Sequence, residues 1–87
     1  MGKPAGEAVR QELRSGVEQA LAGDWQAGHE IAQKYEDDEL AAWLHAVVHR
    51  MEGDLSNAGY WYRRCGRSLR PGVSTTEELE EIRQALR

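Results

Sequence analysis

Phenylalanine is absent from this chain, cysteine occurs once, and no apolar run approaches the roughly 18 to 20 residues of a membrane span. Each scarcity removes a class. A lone thiol, Cys65, closes no intramolecular disulfide and builds no multi-cysteine zinc site. The opening MGKPAGEAVR lacks the apolar core of a signal peptide, and Gly6 stands where a myristoylation signal needs Ser or Thr. A cytoplasmic location without membrane attachment is the expectation. Strand-like alternation is missing, and so are glycine-rich phosphate or dinucleotide loops, which leaves no cofactor motif. Basic charge is scarce in the first half: residues 1–44 carry four basic and nine acidic groups, residues 45–87 seven and six, for a net −4. That balance disfavours nucleic acid as a partner.

What is present suits one small globular domain, 87 residues with 40% hydrophobic and 30% charged side chains, including three Trp and three Tyr. The apolar residues recur at helical spacing, so the predicted class is all-α with about five helices. Residues 1–6 read as a loose terminus. Val9, Leu13, Gly16, Val17, Ala20 and Leu21 lay one stripe along a first helix that Gly23 ends. Asp24 caps a second, reaching about Tyr35. The acidic run Glu36–Glu39 suits the first turn of a third helix, where the positive end of the helix dipole favours carboxylates. In that helix Leu40, Trp43, Leu44, Val47, Val48 and Met51 form the clearest stripe of the chain. Gly53 stops it and Asp54 caps a fourth helix, carrying Leu55, Ala58, Tyr62, Cys65 and Leu69 until GRSLRPG opens a loop over 67–73. Ser74 or Thr75, with Glu77 or Glu78 three residues on, starts a fifth helix over 74–87, with Leu79, Ile82 and Leu86 on its apolar side.

Laying Gly23 on Gly53 aligns LAGDWQAGHEIAQKY with MEGDLSNAGYWYRRC at an offset of 30 residues. Gly16 then falls on Ala46 and Gly28 on Ala58. Two antiparallel helices need small residues where their backbones meet, a glycine to turn and a cap to restart, so the chain reads as two helical hairpins, 7–35 and 36–66. Gly53, Asp54, Ala58, Trp61 with Tyr62, and Cys65 resemble the second helix of tetratricopeptide repeats, in degenerate form over about residues 9–66. The period here is 30 rather than 34, and no proline closes either unit. The block HAVVHRMEGDLSNAGYWYRR is also similar to one in a group of small uncharacterised bacterial proteins, a likeness that brings no activity with it.

His45 and His49 stand one helical turn apart, a spacing that chelates a metal from one helix, with His29 and Glu30 as further ligands. Ala46 follows the first histidine where metallohydrolases of this spacing carry a glutamate base. The expected role of the pair is packing beside the fourth helix, with a hydrogen bond to Tyr60 or a backbone carbonyl. Metal binding through His29, His45 and His49, or histidine catalysis, is the alternative. Trp61, Tyr62, Arg63, Arg64, Arg67 and Arg70 combine rings and charge as a single-stranded nucleic-acid surface does, yet arginines near a helix C-terminus are favoured by the dipole alone. Cys65 fills a small-residue position and reads as a buried hydrophobe.

The third helix faces a doubled demand: small residues toward the fourth helix, and Trp43, Leu44, Val47 and Met51 on a side that must also be covered. The fifth helix, a second copy of the chain or a protein partner are the candidates. The function expected first is a non-enzymatic protein-interaction module. Its partner-binding candidates are Trp43, Leu44, Val47, Met51, Trp61, Arg63 and Arg64, with no catalytic residue assigned. A small histidine-based metal protein or enzyme is the alternative, and three imidazoles more than about 10 Å apart would remove it.

Overall fold

The computed structural model describes residues 5–87, and among them five α-helices and no strand. They are α1 (Ala5–Leu21), α2 (Trp25–Ala32), α3 (Glu39–Glu52), α4 (Leu55–Arg64) and α5 (Thr75–Ala85), with a 3-10 turn, Gln33–Tyr35, prolonging α2. The all-α class is as expected. Of the loose terminus expected over 1–6, the first four residues lie outside the described residues, while Ala5 and Gly6 open α1.

Each Gly-Asp builds a tight turn. Gly23 and Gly53 adopt φ of 97° and 89°, which residues with a Cβ rarely tolerate. Asp24 and Asp54 then accept hydrogen bonds from the backbone N–H of Ala27 and Asn57, capping α2 and α4. The acidic run behaves differently from expectation. Asp38 is the N-cap of α3, bonded to the Ala41 N–H at 2.9 Å in an extended conformation, so Glu36 and Asp37 remain in the preceding turn and only Glu39 enters the helix. Helix α4 ends at Arg64, and Leu69 reaches the core from the loop beyond it. Of the two candidate caps for α5, Ser74 is the one used, with Glu77 closing the reciprocal bond.

Glycine sets how closely the helices approach. A methyl group on Gly28 would stand 3.1 Å from Val48 Cγ1 and 3.3 Å from the carbonyl oxygen of Gly16, and one on Gly16 would stand 3.1 Å from Leu44 Cδ2. Helix α2 therefore nests against α1 and α3 at a separation that a larger residue would widen. Helix α3 is the axis of the molecule. Every residue from Ala41 to His49 is buried, because α1, α2, α4 and α5 all pack on it.

The terminal helix covers the second side of α3. It contributes Leu79 and Ile82, and its C-cap Leu86, to the core that holds Trp43, Leu44 and Val47. A buried carboxylate anchors it: Glu78 accepts hydrogen bonds from Trp43 Nε1 (2.8 Å), Arg50 Nη1 (2.8 Å) and Tyr62 Oη (2.6 Å). Arg50 also donates to the Val73 carbonyl at 2.8 Å, tying down the loop before α5. At the other end, Arg14 Nε donates to the Leu86 carbonyl at 2.8 Å. Among the described residues no helix is long and apolar enough to cross a membrane.

Candidate metal centre

The three histidines of the chain meet at the junction of the two hairpins. His29 projects from α2, and His45 and His49 from successive turns of α3. Their ring centroids are 4.7 Å (His29–His45), 5.2 Å (His29–His49) and 5.0 Å (His45–His49) apart, well inside the 10 Å limit set above. Gly28 makes this possible, since a bulkier residue beside His29 would push α2 off Val48.

One ligand nitrogen from each ring lies within 4.8 Å of the other two, so all three lie within about 2.8 Å of a common centre. Metal–imidazole bonds are about 2.0 to 2.1 Å, and ring shifts below about 1 Å close that gap. Three imidazoles without a thiolate would suit borderline first-row divalent cations, with one protein ligand fewer than a closed four-coordinate site.

The environment of each ring differs. His45 is 4% exposed and stacks on Trp61, with centroids 3.9 Å apart and planes at 12°. Burial, and then the charges of His29 and His49, lower its pKa from 6.5 to about 3, so it stays an uncharged donor at neutral pH. Its Nδ1 is the single buried side-chain nitrogen or oxygen without a hydrogen-bond partner among the described residues. The expected bond from this pair to Tyr60 is not formed; Tyr60 instead meets Trp61 edge-on and accepts from Arg64. His49 pairs through Nδ1 with Glu52 Oε1 at 2.7 Å. A carboxylate beside a ligating imidazole is the usual outer partner of a metal-bound histidine. Asp54 stands close by, but both its oxygens are engaged by Asn57. Glu30, the further ligand considered above, is exposed and does not join the three rings.

The partner-binding candidates are mostly interior. Trp43, Leu44, Val47 and Trp61 are buried, the first three in the core that α5 completes, and Met51 is half-buried; Arg63 and Arg64 reach solvent. With Trp61 against His45 and Tyr62 bonded to Glu78, the rings that a single-stranded nucleic acid would stack on are enclosed. Cys65 is buried, and burial raises its thiol pKa, the opposite of what a nucleophile needs. Sequence reasoning passed over Glu52, the carboxylate bonded to His49, and read Glu78 only as a candidate for the capping box of α5, not as a buried anchor. The signal for Glu52 is its place three residues after His49 on the same helix face. No family model, curated protein or solved structure matches this chain.

Proposed function

We propose that this chain is a transition-metal-binding helical domain in which His29, His45 and His49 hold one borderline divalent cation of the zinc class. The observation that carries the reading is the convergence of three imidazole nitrogens within 4.8 Å across two helices. The orphaned Nδ1 of His45 and the Glu52 partner of His49 support it. Bound there, the ion staples α2 to α3 and supplies binding energy that the metal-free chain lacks. Calorimetric titration of the full chain with Zn²⁺ tests it: one site per chain is expected, lost when His29, His45 and His49 are all changed to Gln. Absence of binding, or binding unchanged in that variant, refutes it.

A protein-interaction module is the second reading, and one surface favours it. On the outer side of α4, Leu55 is 57% and Tyr60 45% exposed, beside Arg63 and Arg64. The tetratricopeptide-like repeat agrees with such a use. Sedimentation analysis of the wild type against Leu55→Ser with Tyr60→Ser examines self-association through this face. A monomer at every concentration, alike in both proteins, removes the homodimer.

A further inference from the structure

Neutral imidazole has two tautomers, and only the nitrogen without a proton can ligate a metal. For His49 the choice is made by its neighbour. Glu52 lies one turn along α3, just before the left-handed Gly53 that ends the helix, and its Oε1 sits 2.7 Å from His49 Nδ1. A carboxylate oxygen accepts, so Nδ1 carries the hydrogen and Nε2 keeps its lone pair.

Resting on the metal-site reading, we propose that Glu52 is the positioning residue of the cluster: it fixes the tautomer and ring orientation of His49 before any ion arrives, so that Nε2 is the ligand offered beside His29 and His45. The other rings have different constraints. His45 is held flat against Trp61, and no carboxylate is bonded to it; its Nδ1 is buried and unpartnered. His29 meets both other rings edge-on. Glu52 is thus the sole carboxylate bonded to any of the three among the described residues. An amide in its place has the same shape and a different effect, because a Gln nitrogen can donate to Nδ1 and move the ring hydrogen to Nε2, blocking the ligand atom.

Two measurements on the full chain test this, with Glu52→Gln and Glu52→Ala compared to wild type and their helicity checked by circular dichroism. Ring-nitrogen NMR of the metal-free protein is expected to show His49 with hydrogen on Nδ1, and a shift toward the other tautomer in Glu52→Gln. Zn²⁺ affinity is expected to fall about 10- to 100-fold in both variants. A His49 hydrogen on Nε2 in the wild type, or Zn²⁺ bound equally by wild type and both variants, overturns the positioning role while leaving the metal site in place. Should the tautomer respond as expected but no protein bind Zn²⁺, the positioning stands and the metal-site reading is the one that fails.

Discussion

Helix α3 carries a buried polar cluster on each of two flanks, and the two are built in opposite ways. Toward α5, Glu78 is 1% exposed and its charge is met by Arg50, Tyr62 and Trp43, so acceptor and donors are matched. Toward α2, three imidazoles crowd together, one with a buried nitrogen bonded to nothing. Glu78, His45 and His49 are buried, while His29 is half-buried. Burial of polar groups alone therefore marks no site; what separates the flanks is whether the bonding is closed. A closed network anchors a helix, whereas imidazoles that converge without bonding one another leave nitrogen lone pairs unused.

The sharpest way to break this contrast is to remove Glu78. Glu78→Ala leaves the Arg50 guanidinium without its carboxylate, and breaking such a buried pair costs about 3 to 5 kcal/mol, a large share of the stability of a domain this small. Urea unfolding reads the change; a loss below about 1 kcal/mol would make the anchor dispensable. The two buried tryptophans refine the comparison. Trp43→Ala and Trp61→Ala should each cost about 3 to 5 kcal/mol. Trp43 should cost about 1 kcal/mol more, since its ring also donates to Glu78 while the Trp61 ring packs on His45 and Tyr60 without a side-chain hydrogen bond.

The histidine flank should declare itself in pH dependence. The unfolded chain takes up a proton on His45 below about pH 6.5, whereas the folded chain resists until about 3. Stability from this group is complete above pH 6.5 and falls as the pH drops through that window, by about 1.4 kcal/mol per unit, or about 2 kcal/mol by pH 5. In metal-free protein, His45→Gln should flatten that slope, and an equal slope in the variant contradicts the assignment. The smallest effect is expected at neutral pH. His45→Gln with His49→Gln should lose about 1 kcal/mol, because the His49–Glu52 bond is the one hydrogen bond removed.

The hairpins were legible because their signals are local. A glycine before an aspartate specifies its own turn and cap, and the stripe of α3 declares its own helix. The i, i+4 histidine pair was legible for the same reason, and His29 was a fair third candidate. Its distance to the pair was not readable, since that depends on how closely Gly28 lets α2 approach Val48. Glu78 was hidden more deeply. In the first turn of α5 it looks like a carboxylate placed for the helix dipole, and its burial rests on Arg50 and Tyr62, which lie 28 and 16 residues away on other helices. The interior position of Trp43, Leu44 and Val47 likewise depended on where α5 docks, which an apolar stripe by itself does not specify.

Whether the open cluster takes an ion is asked most directly by titrating the metal-free full chain with Co²⁺. Visible absorption reports the coordination of the ion, while quenching of tryptophan emission reports its approach to Trp61, the ring stacked on His45. The predicted result is a saturable one-to-one spectrum of a nitrogen-bound, low-coordinate cobalt centre that Zn²⁺ displaces and that vanishes in the triple histidine-to-glutamine variant. A flat visible spectrum with unchanged emission at excess Co²⁺, or a spectrum that survives in the triple variant, would contradict it.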